Sequence, residues 1–99
     1  MAVEGVFQPE FEKDLADAYD WYERQEPGLG DQFLTCVEAS VRAITHYPES
    51  CPKVYREFRR ALVRRFPYAV FYEHSVGVVT FFGVFHTSRR PEAWKDRTE

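Results

Sequence analysis

Cysteine and methionine are scarce in this 99-residue chain, with two and one respectively. No apolar run approaches the roughly 18 residues that a membrane-spanning helix requires. Cys36 and Cys51 are too few for a disulfide scaffold and share no metal-ligand spacing with the three histidines. Reduced thiols, no metal and no cofactor are therefore expected. A Gly-rich phosphate loop, a CxxC pair, an HExxH helix and a nucleophile elbow are all missing, which removes the enzyme classes recognised by those motifs. The N-terminal MAVEGVFQPE has neither the basic start nor the apolar stretch of a signal peptide. A soluble, cytoplasmic protein with no membrane partner is the expectation.

What is present is enough for one domain, residues 1–99, with 44% hydrophobic and 17% aromatic residues. A chain of this length buries only about 60–65% of its unfolded surface, so its core is modest. The aromatic share implies either apolar surface that a partner can cover or an ordinary over-provision of the core. The net charge of −3 conceals a split. Residues 1–50 carry 3 Lys/Arg against 11 Asp/Glu, and residues 51–99 carry 10 against 5, giving −8 and +5. The two halves offer faces of opposite sign to partners or, more plainly, a solvated acidic helix beside a solvated basic sheet edge.

The pattern along the chain predicts a short first strand at 3–8, weakened by Gly5. A helix follows from Pro9 to about Gln25, with Pro9 in its first turn and Glu10, Glu12 and Asp14 at its positive end. Its apolar stripe is Phe11, Leu15, Ala18 and Tyr22. Pro27-Gly28 and Gly30 break the chain before a second helix, from Gly30 or Asp31 to His46, with Phe33, Leu34, Val37, Val41 and Ile44 on one side. Two stripes joined by a short connection give an antiparallel helical hairpin. Residues 48–53 (PESCPK) are expected to be loop. Strands are expected at 58–64, 68–74 and 78–86, with a hairpin at 75–77 where Gly77 supplies positive φ. The run VVTFFGVF at 78–85 is apolar throughout, as befits a central strand. Pro91–Trp94 opens a final helical turn. The fold class is α+β, in the order β-α-α-β-β-β, with the hairpin packed on a small, mostly antiparallel sheet.

Chemistry concentrates at the strand ends. Arg59, Arg60, Arg64 and Arg65 form two basic pairs, and strand alternation puts Arg60 and Arg64 on one face with Leu62 between them. Guanidinium forks suit phosphates and carboxylates, although arginines at strand ends often serve only solubility. His86 ends the longest apolar run and is followed by Thr87, Ser88, Arg89 and Arg90. A histidine there, flanked by cations, suits proton transfer at a phosphate ester, or simply a carbonyl hydrogen bond at a strand end. Tyr68 and Tyr72 share a face of the middle strand and are candidates for stacking or for core packing. Trp21, Tyr22 and Trp94 are read as packing, and His46 and His74 as surface residues.

Three segments, DWYERQEPGLGDQFL (20–34), RRFPYAVFYE (64–73) and VFHTSRRPEAWKDR (84–97), together resemble the RelE/ParE superfamily of bacterial type II toxins. The resemblance implies the same β-α-α-β-β-β fold and a small co-encoded antitoxin that wraps and blocks the toxin in a hetero-oligomer. Operator DNA is then contacted only through the antitoxin, and plasmid stabilisation is one role such modules fill. RelE-like members cut mRNA on the ribosome without metal, whereas ParE-like members inhibit DNA gyrase. Ala69 stands where RelE-like nucleases carry a phosphate-gripping arginine, and Leu62 where a lysine is wanted. The pI of about 5.6 is also low for a ribosome-directed nuclease. The resemblance therefore implies a ParE-like toxin that arrests growth, with gyrase the favoured target. Arg59, Arg60, Arg64, Arg90, Tyr68 and Tyr72 would then bind target or antitoxin. In the ribonuclease alternative His86, Arg65 and Arg89 are the catalytic set, with Arg60 helping to hold the phosphate. A degenerate, non-toxic module that binds antitoxin is the third reading.

Overall fold

A computed structural model describes residues 3–92 and residue 95 of the chain. The elements run β1 (Glu4–Phe7), α1 (Pro9–Gln25), α2 (Leu29–His46), β2 (Lys53–Tyr55), β3 (Phe58–Leu62), β4 (Tyr68–Ser75) and β5 (Val78–His86). They form one five-stranded sheet in the order β1-β5-β4-β3-β2. β1 runs parallel to β5, and every other pairing is antiparallel. The two helices pack on one face, so the expected α+β class and helical hairpin are present.

The apolar periodicity of the helices explains this packing. Phe11, Ala18 and Tyr22 of α1 and Phe33, Val37 and Ile44 of α2 are buried against Val70, Tyr72, Val79, Phe81 and Val84 of the sheet. Pro9 opens α1, with Glu10 and Glu12 in its first turn where the helix dipole favours acids. Between the helices Gly28 adopts φ 90°, in the left-handed region. It offers α2 no capping side chain, and Glu23 of α1 takes over that task. Its Oε1 accepts hydrogen bonds from the amides of Gly28 (3.0 Å) and Gly30 (2.8 Å). The PGLG segment is thus the place where α1 caps α2.

Several boundaries differ from the expectation, among them the start of α2, at Leu29 rather than Gly30 or Asp31. Residues 48–53 were expected to be loop throughout, but a three-residue strand begins at Lys53 and pairs with β3. That strand is too short to show periodicity and exists because β3 offers it an edge. The 58–64 strand ends earlier, at Leu62, because Arg65 turns the chain with φ 70°. The Val63 amide, donating to the Tyr68 carbonyl at 2.9 Å, closes the turn. Arg64 is therefore a turn residue and does not continue the face of Arg60. The β4–β5 connection is a two-residue turn, Val76-Gly77, with Gly77 at φ 72° as expected. The helical turn expected at Pro91–Trp94 lies, at Ala93 and Trp94, outside the described residues.

β5 contains the irregularity that shapes the site. Phe81 pairs with Tyr72 and Gly83 with Phe71, leaving Phe82 as an extra residue. Such a bulge shifts the side-chain alternation by one. Upstream, Val79 and Phe81 face the helices; downstream, Val84 does, while Phe85 joins Ala69 and Phe71 in a second buried cluster on the opposite face. His86, paired with Tyr68, consequently falls on the helix side.

Candidate functional site

The strand end placed by the bulge lines a cleft of about 490 Å³ against α1. One wall is Asp14, Asp17, Ala18, Trp21 and Tyr22; the other comprises Pro67, Tyr68, Val84, Phe85, His86 and Arg89. The two loops of the second wall are tied by the Thr87 amide, which donates to the Pro67 carbonyl at 2.8 Å. β1 stops pairing at Phe81, and further along β5 the Val84 amide donates to Asp14 Oδ2 at 3.0 Å. Asp14 thereby joins α1 to the sheet across the back of the cleft.

Within it, the Tyr68 and His86 rings meet edge to face, 5.2 Å between centroids. Arg89 lies over the Phe85 ring at 5.8 Å. Burial pushes the Tyr68 phenol above its ordinary value, and the Arg89 charge opposes that shift. The Ser88 amide donates to His86 Nδ1 at 3.0 Å, and the Ser88 hydroxyl lies 2.7 Å from the same nitrogen. An amide only donates, so Nδ1 accepts, and the neutral ring carries its proton on Nε2. In this arrangement Nδ1 is engaged within its own loop, while Nε2–H is a donor.

The other expected residues are dispersed. Arg64 and Arg65 border a separate cavity between α2 and the β3–β4 turn. Arg65 is thus not part of the cleft that holds His86 and Arg89. Arg60 is exposed and pairs with Phe71, placing it on the sheet face away from the helices. Arg90 is exposed outside the cleft lining. Arg59 is largely withdrawn from solvent, its side chain 13% exposed. Its guanidinium donates to the carbonyls of Cys51 and Glu49, pinning the loop after α2.

Tyr72 was expected on a binding surface and is instead a core residue at 0% exposure. Its hydroxyl donates to the Pro48 carbonyl at 2.8 Å, and burial is the main cause raising its pKa well above the tyrosine norm. Core packing was the other reading of the β4 face that Tyr72 shares with Tyr68 and Val70, and it is the outcome. Ala69, where a nuclease would carry a cation, is buried with Phe71 and Phe85. Trp21, expected to pack, is 50% exposed on the cleft wall. The row Asp14, Asp17 and Trp21, at spacings of three and four, was the available signal.

The sequence matches the family of ParE toxins of type II toxin–antitoxin systems (parDE) across residues 6–91. The chain belongs to the ParE toxin family. Among solved structures, its fold is similar to a chain of the chromosomal ParDE toxin–antitoxin system from P. aeruginosa. That likeness has a TM-score of 0.76 at 12% identity and covers 86% of this chain and 96% of the other. It is also similar to a mutant of the E. coli toxin RelE in the free state, with TM-score 0.62, 15% identity and coverage of 99% and 96%. No curated protein matches the sequence. For a ParE-family toxin the family implies a cognate antitoxin as partner. No helix among the described residues is long and apolar enough to cross a membrane.

Proposed function

We propose that this ParE-family chain is a cytoplasmic toxin that arrests growth by inhibiting DNA gyrase and is neutralised by a co-encoded antitoxin in a hetero-oligomer. The observation that carries the reading is the separation of the candidate catalytic groups. His86 and Arg89 line the α1 cleft, whereas Arg65 borders the cavity on the α2 side. General acid–base cleavage of a phosphodiester needs its proton-transfer group and its charge-stabilising cations around one phosphate. The buried Ala69 and the engaged Nδ1 of His86 favour the same reading. The cleft then acts as a contact surface, with Trp21, Tyr68 and Arg89 supplying aromatic and cationic anchors of the kind that dominate interface energies.

The ribonuclease reading is favoured by one observation, that His86, Tyr68 and Arg89 share a cleft. Two assays separate the readings. Purified chain is added to gyrase with relaxed plasmid, and to a bacterial translation reaction with one defined mRNA whose 5′ ends are mapped by primer extension. Gyrase inhibition with an intact message is expected. Ribosome-dependent cuts with unimpaired supercoiling would overturn the proposal.

A further inference from the structure

The cavity on the far side of the β3–β4 turn has a composition that the toxin reading does not use. Its volume is about 620 Å³, within the ~300–1,000 Å³ of small-molecule sites. Both cysteines line it, Cys36 from α2 and Cys51 from the loop after it, above an apolar floor that includes Ile44 and Ala61. Both thiols are free and half-buried.

Arg64 and Arg65, both exposed, complete the lining. Neither is paired with a carboxylate among the described residues. Arg65 holds φ 70°, in the region that favours glycine. Behind the cavity Arg59, ion-paired with Glu49 at 3.9 Å, binds the carbonyl of Cys51 and fixes its backbone. Cys51 therefore lies in a part-apolar cavity with Arg64 and Arg65 on its rim, and it sits in a loop rather than within a helix. Cys36, held within α2, has less freedom to align with an incoming sulfur.

We propose that this cavity is a modification site at which Cys51 forms a mixed disulfide with an anionic low-molecular-weight thiol whose carboxylates pair with Arg64 and Arg65. The co-reactant is the symmetrical disulfide of that thiol. Cys51 gives up its proton, its Sγ attacks one sulfur, and the reagent's S–S bond breaks. The other half leaves as a free thiol carrying that proton, so one disulfide is exchanged for another with no further oxidant. Arginine forks bind carboxylates bidentately, and a cationic rim raises the local concentration of an anionic reagent. The inference is independent of which macromolecule the toxin acts on.

The purified chain is incubated with glutathione disulfide, which carries carboxylates on both halves, and in parallel with neutral hydroxyethyl disulfide. Rates are normalised to a free cysteine peptide, and adducts are read by intact mass and peptide mapping. A single adduct at Cys51 is expected, forming at least ~10-fold faster with the anionic reagent, with the preference falling as salt rises. The Arg64→Ala/Arg65→Ala chain should lose the preference, and Arg64→Lys/Arg65→Lys should retain most of it. Circular dichroism melting and Cys36 labelling report whether each variant is folded, and the lysine pair tests the charge if the alanine pair unfolds. No adduct, an adduct only at Cys36, equal normalised rates for the two reagents, or an unchanged preference in the folded alanine pair would overturn the proposal.

Discussion

Glu23 and Gly30 lie seven residues apart on different helices, and the Gly30 amide donates to Glu23 Oε1 at 2.8 Å. A Cβ on Gly30 would stand 2.6 Å from Glu23 Cγ and 2.8 Å from the Tyr19 ring. The helices approach closely here because that position lacks a side chain, and the same approach brings the carboxylate onto the amides of α2. Gly30→Ala should therefore destabilise the fold by ~1–3 kcal/mol. Glu23→Ala, which leaves two amides without this acceptor, should cost a similar ~1–3 kcal/mol. Urea unfolding midpoints check both, and an unchanged midpoint for Gly30→Ala would contradict the close approach.

Tyr72→Phe keeps the buried ring and removes only the hydroxyl that donates to Pro48. A loss of about 1 kcal/mol is expected, with target inhibition and antitoxin binding intact. Impaired binding by a folded Tyr72→Phe chain would mean that Tyr72 has a role outside the core.

Alkaline pH should act through the same residue. Burial raises the Tyr72 pKa above its ordinary 10.0, and burial likewise raises Tyr68 and Tyr22. The unfolded chain then loses these protons at lower pH than the folded one. The stability they contribute is complete below about pH 10 and declines as pH rises beyond it. Tyr72→Phe should flatten that decline in denaturant midpoints measured across the range, and equal slopes would refute the assignment.

His86→Ala separates the two functional readings by magnitude. As one neutral contact of a binding surface, His86 is worth about 1 kcal/mol, a loss of no more than ~10-fold in potency. As a general acid or base it is worth ~10²–10⁴-fold. Titrating growth arrest against toxin expression for both chains measures the ratio. A loss beyond 10²-fold in a folded variant would favour catalysis.

Asp14→Ala removes the acceptor of the Val84 amide, the hydrogen bond that joins α1 to β5 at the cleft. A destabilisation of ~1–3 kcal/mol is expected, together with faster exchange of that amide. Protection of the Val84 amide equal to that in the parent chain would show that the bond is dispensable.

Much of the architecture was legible because it follows from local periodicity. Of the expected stripes, Phe11, Ala18, Tyr22, Phe33, Val37 and Ile44 are buried, and Leu15, Leu34 and Val41 are partly buried against the same core. The apolar run at 78–85 read as a central strand, and β5 does lie between β1 and β4. Gly77 was legible as a turn because a two-residue hairpin requires positive φ.

The candidate site was legible only in its ingredients. His86, Tyr68 and Arg89 were identifiable as reactive or aromatic groups at strand ends, and they do line one cleft. Their orientation depends on the bulge at Phe82, which reverses side-chain alternation beyond it and turns His86 towards α1. A bulge answers to the pairing of two strands at once, so it leaves no mark in the pattern of either.

Tertiary contacts also decided the fate of the remaining arginines and of Tyr72. Arg59 and Arg60 are adjacent and chemically identical, but pairing with β4 sets one against the loop carbonyls and the other on the open face. Tyr72 and Tyr68 share a face, but only Tyr72 lies deep enough for its hydroxyl to meet Pro48. The amino-acid sequence by itself determined which stretches are helix or strand and which side of each is apolar, because those properties repeat within a few residues. Which polar groups stay free to meet a partner was decided by contacts between segments far apart in the chain, and only the assembled fold contains those.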